Sequence, residues 1–533
     1  MDKRTFAAIV LSFAVIAVYQ LFFAPTTPPP QPEAVQKTEK EIVVKSESRE
    51  VLKETLTRTT PSIQEPINGK DIKVESPLYS AIFTTIGGNL KSFKLKGYCK
   101  TLDENSELIE LVNIKSGIKY PLAVTFPESS INISPEEIYQ ADADSIDITR
   151  TMDARKLTFV WSYPEKIKVE KIFTFYPEKY SFDLEVKVYN ISSRALNENA
   201  LLSWYQSVDP EADTSRYSHD GPISFVKNSL HLEKVDKLET RKLLGPDVSW
   251  GAFENKYFIA AMIPQKPSLT SLVLFKDSRN LVSVGLEGPK NLIPPGQSGF
   301  FNYSLYLGPK DYDILKTEDV GLENSIDFGS WIKWLALPLL IALKFLYQYV
   351  HNYGIAIIIL TILIKVLFWP LGNKSYRSMK EMQKLQPMLK KLQEKYKEDK
   401  QKLSEETMAL YKRYKVNPLG GCLPMVIQIP VFFGLYKALL YSIELRHSPF
   451  FWWIQDLSAK DPYYITPIIM GATMFLQQKM TPPVGGNPMH QKMMLWMPVV
   501  FTFLFLSFPS GLVIYWLFSN ILSIGQQHYI NKQ

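Results

Sequence analysis

The pattern of hydrophobic and polar positions divides the chain into two parts. Between residues 71 and 325 apolar and polar residues alternate, whereas residues 331–528 contain long apolar runs. In 167–175 and again in 182–188, apolar side chains alternate with charged or polar ones on either side of a turn containing proline. This alternation predicts a hairpin of half-buried strands. Because similar strands recur to about residue 307 without a long helical pattern, we predict a large antiparallel β-sandwich domain over residues 71–325.

The second part of the chain contains apolar runs that are typical of transmembrane helices. About 20 apolar residues in a helix cross the hydrocarbon core of a bilayer. We therefore predict a five-span helical core over residues 353–533. Its apolar runs are 353–371, 418–441, 462–479, 494–508 and 511–528.

The N-terminus has a further apolar run, from Phe6 to Ala24, which follows Lys3 and Arg4. A proline directly after Ala24 is unfavourable for signal-peptide cleavage, so we favour an uncleaved transmembrane anchor over residues 1–24. A cleaved signal peptide is the alternative. Residues 25–70 are rich in proline and charge and predict a flexible linker.

Charge in the loops predicts the orientation of the spans. The overall composition, with 46% hydrophobic residues and a net charge of +7, does not show on which side of the membrane each loop lies. The segment 373–416 carries 13 Lys and Arg against 6 Asp and Glu. The positive-inside rule places this segment and 480–493 in the cytoplasm and 442–461 outside. Residues 329–350 then form an amphipathic helix in the outer interface, because a span there would move the basic segment outside. We predict six spans, cytoplasmic termini, and residues 25–350 on the outer side.

Polar side chains inside the predicted spans are the main candidates for a functional site. A charged side chain at the centre of a bilayer costs about 3 kcal/mol or more and usually faces protein or water. Lys365 could line a polar groove, or its stem could instead extend to the headgroups. The uncharged residues could join it or form ordinary hydrogen bonds between helices. The candidates are Lys365, Thr361, Gln428, Thr473, Gln477, Thr502, Tyr515, Ser519 and Asn520.

The basic segment 373–416 predicts a hairpin of two helices, with Pro387 interrupting the first. Its apolar residues have helical spacing, and we select Met379, Met382, Leu385 and Met408 as candidate contact residues. The hairpin could simply bury its own seam. Alternatively, it could present a basic and adaptable surface to emerging apolar chains or to the ribosome.

The sequence contains no recognisable catalytic motif. None of the six histidines has metal-ligand spacing relative to another, and the phosphate-binding and nucleophile-elbow motifs are absent. Cys99 and Cys422 fall in segments that we place on opposite sides of the membrane or within it, so they cannot form a structural disulfide framework. We therefore expect no enzyme activity, no metal, no cofactor and no nucleic-acid substrate.

Several motifs resemble the YidC family of bacterial membrane protein insertases. Residues 417–424, with the sequence NPLGGCLP, and the following 428–430, with QIP, resemble the third span of that family. The DPYY, QKM and FPSGL motifs at 461–464, 478–480 and 508–512 occur at the expected intervals. The order of anchor, β-domain, interfacial helix and five spans is similar to that of the Gram-negative members.

This resemblance implies an insertase and chaperone of the bacterial inner membrane, with residues 25–350 in the periplasm. It implies a hydrophilic groove open to the cytoplasm and to lipid, in which Lys365 occupies the position of a basic residue that is arginine in many members. The implied partners are nascent membrane proteins, the ribosome through the cytoplasmic loops, the Sec translocon and membrane lipids. A solute transporter or channel is the alternative function, although the internal repeats usual in transporters are not visible.

Overall fold

The computed structural model describes residues 69–532 apart from short gaps. The gaps are 116–118, 128–132, 135, 165, 210–218, 330, 415, 417–422 and 482–487. The predicted anchor, nearly all of the predicted linker and the 417–422 part of the family motif thus lie outside the described residues. Gly69–Lys391 and Ala409–Gln533 form one compact unit, whereas residues 392–408 belong to a second unit and are described on their own.

Residues 71–309 form the β-domain, in which strands follow one another with short connections. The strands are β1 Asp71–Glu75, β2 Tyr79–Thr84, β3 Asn89–Cys99, β4 Leu108–Glu110, β5 Ala123–Thr125, β6 Gln140–Ala141, β7 Ser145–Asp147, β8 Arg155–Tyr163, β9 Ile167–Phe175, β10 Ser181–Asn190, β11 Leu196–Glu198, β12 Leu201–Ser207, β13 Gly221–Val226, β14 Ser229–Leu232, β15 Lys242–Leu244, β16 Val248–Glu254, β17 Phe258–Pro264, β18 Ser271–Lys276, β19 Leu281–Glu287, β20 Asn291–Ile293 and β21 Ser298–Pro309.

The β-domain is a sandwich built around one long sheet. That sheet has the order β14-β13-β16-β17-β21-β10-β9-β8-β6, and two further sheets have the orders β4-β3-β2-β1-β7 and β15-β18-β19-β12-β5. The predicted hairpin is β9–β10, which pairs antiparallel with Leu184 opposite Phe173. Strand β1 pairs in parallel with β7. The predicted β-sandwich is therefore confirmed.

Aromatic side chains join the long sheet to the sheet that contains β2 and β3. The Phe83 ring on β2 lies 4.8 Å from the Phe173 ring and 6.3 Å from the Phe159 ring, measured between centroids. Phe93 on β3 stacks against Phe182 on β10 at 6.2 Å. All of these rings are fully buried. They form one aromatic cluster between the two sheets, in which each ring buries a large apolar area and packs against several others.

A lysine lies inside this core. Lys171 on β9 is fully buried, and its ammonium donates to the carbonyls of Gly87 and Leu122 at 3.1 and 2.8 Å and to Asn89 Oδ1 at 2.9 Å. All three ammonium protons therefore have acceptors. Burial lowers the pKa of Lys171 well below its ordinary value. The lysine ties the long sheet to the turn between β2 and β3 and to the segment just before β5.

Residues 312–532 are mainly helical. The helices are α1 Tyr312–Thr317, α2 Lys333–Val350, α3 Tyr353–Leu367, α4 Trp369–Lys384, α5 Gln386–Lys395, α6 Lys400–Arg413, α7 Leu423–Tyr441, α8 Ile465–Met480, α9 Pro488–Phe505 and α10 Ser510–Lys532.

Several of these helices are interrupted. Helices α3 and α4 meet at an angle of 65° and together have the length and apolar character of a membrane span. Within the described residues, no helix taken singly meets both requirements. Helix α4 ends at Lys384 and α5 begins at Gln386, one residue before Pro387. In the predicted hairpin the first helix is thus two shorter helices, and the second is α6.

The sandwich core extends into the helical part. Ala336 and Leu340 on α2, with Ala438 on α7 and Ile443 just after it, belong to the same buried apolar cluster as the strands. A second cluster joins α2, α3, α7, α8, α9 and α10. The β-domain therefore rests on α2 and on the end of α7.

We expect Phe173→Ala to destabilise the β-domain by about 3–5 kcal/mol, because it leaves a cavity at the centre of the aromatic cluster. Phe300→Ala is a matched control on β21, where the ring is 49% exposed, and should cost less than about 1 kcal/mol. Limited proteolysis of the full-length protein in increasing urea measures both. Equal midpoints for the two variants would contradict this assignment of the core.

Candidate functional site

Three helices meet around the Lys365 ammonium. Lys365 lies in the last turn of α3, where the helix dipole favours a cation. Its Nζ donates to Gln428 Oε1 on α7 at 3.2 Å and to Ser523 Oγ on α10 at 2.7 Å. Asn352 fixes the start of α3, because its side chain accepts from the Ile355 amide. The side chain of Lys365 thus points between helices and not away from them.

The hydrogen bonds continue along α10. Gln428 Nε2 donates to Ser519 Oγ at 2.5 Å, and the Tyr515 hydroxyl also hydrogen-bonds to Gln428. Ser523 Oγ donates to the Ser519 carbonyl at 2.8 Å. Tyr515, Ser519 and Ser523 are four residues apart and therefore share one face of the helix. We call Lys365, Gln428, Tyr515, Ser519 and Ser523 the polar cluster.

The polar cluster contains one charge and no carboxylate. Within the part of the chain that the structure describes, the partners of Lys365 are an amide oxygen and a hydroxyl, and no Asp or Glu lies within ion-pair distance. An ammonium has three donors, and these two contacts use two of them. A half-buried cation with neutral partners attracts an incoming anion or carbonyl oxygen more strongly than a neutralised pair does.

The other predicted residues form separate contacts. Asn520 Nδ2 donates to Thr473 Oγ1 at 3.4 Å and so links α10 to α8. Thr361 and Thr502 donate at 2.7 Å to carbonyls four residues earlier in their own helices. Gln477 is half-buried one turn after Thr473 on α8. The structure therefore brings Lys365, Gln428, Tyr515 and Ser519 together, and places the remaining five candidates outside the polar cluster.

Exposure differs within the polar cluster. Tyr515 and Ser519 are each 1% exposed, whereas Lys365 and Gln428 are half-buried. The cluster is therefore packed tightly on the α10 side and more accessible at Lys365 and Gln428.

Helices α8 and α9 approach closely at Gly471. A Cβ atom at this position would lie 2.0 Å from Thr502 Oγ1. Glycine therefore permits the contact between the two helices, as small residues do in membrane helix packing.

Several polar residues near the site were missed by the sequence analysis. Ser523 accepts from Lys365, and the Tyr376 side chain on α4 hydrogen-bonds to Ser523. Gln526 Nε2 donates to Asn373 Oδ1 at 2.9 Å and so joins α10 to α4. Ser523 and Gln526 extend the stripe of Tyr515 and Ser519 with helical spacing. Following that stripe beyond Asn520 would have identified them.

The candidate contact residues of the hairpin divide into two groups. Met379 is buried against Tyr376 and Ile530 of α10. Met382 and Leu385 are buried in a cluster with Leu389 and Tyr411. These three side chains stabilise helix packing and are covered. Met408 lies in the separate unit 392–408 and is 39% exposed.

The segment between α7 and α8 is joined to the start of α10 on the side that the charge pattern predicts to be outside. Asp461 is fully buried and accepts from the Thr466 amide at 2.8 Å and from the Trp453 indole at 3.1 Å. The Ser510 and Gly511 amides donate to carbonyls of Ala459 and Leu457 at 2.7 and 3.0 Å. These bonds connect the loop to the start of α10 at the end of the bundle opposite Lys365.

Two family models match the chain. Residues 71–342 match the model described as YidC periplasmic domain, and residues 345–533 match the model described as 60Kd inner membrane protein.

Curated relatives match over the whole chain, and each is named membrane protein insertase YidC. The protein from Syntrophus aciditrophicus is 64% identical and covers 100% of both chains. That from Geobacter metallireducens is 42% identical over 100% of this chain and 98% of its own. That from Geotalea daltonii is 43% identical over 100% and 99%. A crystal structure of an active YidC insertase, with its first transmembrane domain resolved, covers 86% of this chain and 92% of its own at 21% identity and a TM-score of 0.38.

Proposed function

Because the chain belongs to the YidC family of membrane protein insertases, we propose that it inserts nascent inner-membrane proteins along a polar path that begins at Lys365. The family acts without catalysing a reaction, and the chain is an inner membrane protein with a periplasmic β-domain. The path, the role of Lys365 and help with folding of the inserted protein are the parts that we propose.

The observation that carries the proposal is the neutral surroundings of Lys365. Among the described residues its ammonium has two neutral acceptors, which leaves a third donor for an incoming group. The polar or acidic tail of a substrate would bind there, because a carboxylate gains a charge-assisted hydrogen bond that neither Gln428 nor Ser523 can supply. Lysine acts as a point charge, whereas arginine would add a bidentate fork. Attraction of the tail therefore does not depend on one fixed geometry.

A polar path of this kind lowers the barrier for the tail. The hydrocarbon core is about 30 Å thick, and a peptide backbone finds no hydrogen-bond partners in it. The polar cluster supplies partners partway across. The apolar stretch Trp496–Phe505 of α9 is short, and a short stretch favours local thinning of the bilayer, which shortens the remaining distance. The apolar segment of the substrate then moves into lipid, driven by about 25 cal/mol for each Å² of apolar surface removed from water.

We also propose the orientation and the partners. Six spans with both termini in the cytoplasm place the basic segment 373–416 where a ribosome delivers the nascent chain. Ribosomal RNA would attract this segment through its net positive charge. Of the four candidate contact residues of the hairpin, Met408 is the one whose exposed side chain could meet an apolar chain. The Sec translocon is a further partner that we propose from the family resemblance.

The neutral partners of Lys365 also argue against the alternative of a solute transporter or channel. Coupled transport through a buried lysine usually pairs it with a carboxylate that exchanges protons or ions. In the described residues the groups bonded to Lys365 do not titrate in the physiological range.

We expect charge at position 365 to matter more than shape. Lys365→Arg should insert substrates with acidic translocated tails at close to the parental rate, whereas Lys365→Glu should reduce it by tenfold or more, which is about 1.4 kcal/mol. Protease protection of the translocated tail in inverted membrane vesicles measures insertion. Lys374→Glu is the matched control, because this substitution makes the same change in net charge at an exposed position on α4. Equal insertion by Lys365→Glu and Lys374→Glu would refute the role of Lys365.

We expect the polar cluster to be reached by water from the cytoplasm. Single cysteines at positions 365, 428, 515 and 519, in a protein with Cys99→Ser and Cys422→Ser, should react with small polar thiol reagents. Positions 365 and 428 should react faster because their side chains are half-buried, whereas Tyr515 and Ser519 are covered. Thiols that are uniformly inert in a functional protein would indicate a dry bundle and would exclude the polar path.

We expect the β-domain strands to be dispensable for insertion, because the polar cluster lies wholly within α3, α7 and α10. Replacing residues 71–310 by a short linker should retain insertion when it is normalised to the amount of membrane-integrated protein. That amount should fall, since Leu340 and Ile443 lose their apolar contacts with the β-domain. Adding Lys365→Glu to the deletion should remove the retained activity. A well-integrated deletion variant that inserts nothing would make the strands part of the insertion machinery.

A further inference from the structure

Lys344 connects three segments through carboxylates. Its Nζ lies 2.9 Å from Glu444 Oε1, 3.3 Å from Asp311 Oδ2 and 2.5 Å from Asp313 Oδ2. The side chains of Lys344, Glu444 and Asp311 are 21%, 12% and 18% exposed, and only that of Asp313 is open at 65%. This arrangement, which we call the Lys344 junction, is more enclosed than an ordinary surface ion pair.

The partners of Lys344 come from different parts of the fold. Asp311 precedes α1 and caps it, accepting from the amides of Asp313 and Ile314, so its position is set by the end of the β-domain. Glu444 follows α7, and Ser442 Oγ donates to its other oxygen at 2.6 Å. One ammonium on α2 therefore holds together the exit from the β-domain and the end of α7.

The Lys344 junction also adjoins the start of α3. Tyr347, one turn after Lys344 along α2, stacks on Tyr353 with ring centroids 3.9 Å apart. Asn352 Nδ2 donates to the Phe450 carbonyl in the segment after α7 at 3.1 Å. The ends of α2, α3 and α7 are thus connected on the side opposite Lys365. Helices α3 and α7 are also the helices that carry Lys365 and Gln428.

We propose that Lys344 is a positioning residue for insertion, which holds the outer ends of α2, α3 and α7 together and keeps the polar cluster closed from the periplasm. The proposal rests on the proposed function of the polar cluster. Its physical basis is the excess of negative charge, since three carboxylates surround one ammonium. Removing the ammonium leaves Asp311 and Glu444 in an enclosed place without their counter-charge. The segments that carry Asp311 and Glu444 would then move apart.

Lys333 provides a matched comparison on the same helix. It lies eleven residues before Lys344 on α2 and donates to Asn324 Oδ1 at 2.8 Å, a neutral partner. Removing Lys333 costs one hydrogen bond and leaves no group of carboxylates without a counter-charge. A general weakening of α2 would affect substitutions of Lys333 and of Lys344 alike, whereas loss of the Lys344 junction affects only the substitution of Lys344.

The test uses a buried reporter near the Lys344 junction. Ile357 is fully buried one turn after Tyr353 on α3. Ile357→Cys is introduced into the full-length protein with Cys99→Ser and Cys422→Ser. A membrane-impermeant maleimide is then applied from the periplasmic side of spheroplasts. Lys344→Met should raise the labelling rate about tenfold or more, which corresponds to about 1.4 kcal/mol of lost closure. Lys344→Arg should restore slow labelling, and Lys333→Met should leave it slow.

Insertion is measured in parallel. Lys344→Met should reduce insertion, and Lys344→Arg should restore it. Unchanged labelling in Lys344→Met overturns the proposal even if insertion falls. Where Lys344→Met does not accumulate in the membrane, Glu444→Gln serves instead, because it removes one ion pair and keeps the other two. Glu444→Gln should raise labelling by an intermediate factor, and no rise overturns the proposal.

The two proposals fail in different ways. Normal insertion by Lys365→Glu would refute the role of Lys365 while fast labelling of Lys344→Met still supported the Lys344 junction. Slow labelling of Lys344→Met together with impaired insertion by Lys365→Glu would support the polar cluster alone.

Discussion

The need to supply hydrogen bonds to an ammonium inside a helical bundle determines much of the helical part. Lys365 has no counter-ion among the described residues, so neutral oxygens on α7 and α10 must replace the water that it loses. This requirement sets the relative rotation of three helices, because Gln428 and Ser523 have to face the same point. Ser519 and Tyr515 then satisfy Gln428 in turn. The cation thus accounts for the convergence of Gln428 and Ser523, whereas Asn520 with Thr473 and Gln526 with Asn373 form separate polar contacts in the same bundle.

The ammonium group has different consequences at Lys171, Lys344 and Lys365. Lys171 is fully buried and has three acceptors, so its ammonium has no donor left and its role is structural. Lys344 has more negative charge around it than it can neutralise, which makes it a connector of segments. Lys365 has fewer partners than donors among the described residues, and it is the one of the three for which we propose binding of a further group. Position in the fold and the number of acceptors distinguish these roles, since the residue type is the same.

Local periodicity predicted those parts of the structure that depend on neighbours in sequence. The alternation around residues 167–188 predicted the β9–β10 hairpin, because strand pairing there is local. The cost of a charge in an apolar run identified Lys365 without any knowledge of its partners. Contacts between distant segments were not predictable in this way. Ser523 lies beyond the polar residues chosen, and Met379 is covered by Ile530, about 150 residues later in the chain. The ion pairs of Lys344 likewise join segments about 30 and 100 residues away.

The hydroxyl of Ser523 has a limited capacity for hydrogen bonds. It has one proton, which goes to the Ser519 carbonyl, and its oxygen accepts from Lys365. The hydroxyl therefore has no proton for an incoming carboxylate or carbonyl oxygen, and of the two groups only the ammonium can donate to it. Ser523 thus acts as a one-way acceptor, which orients the ammonium without competing with it for an anion.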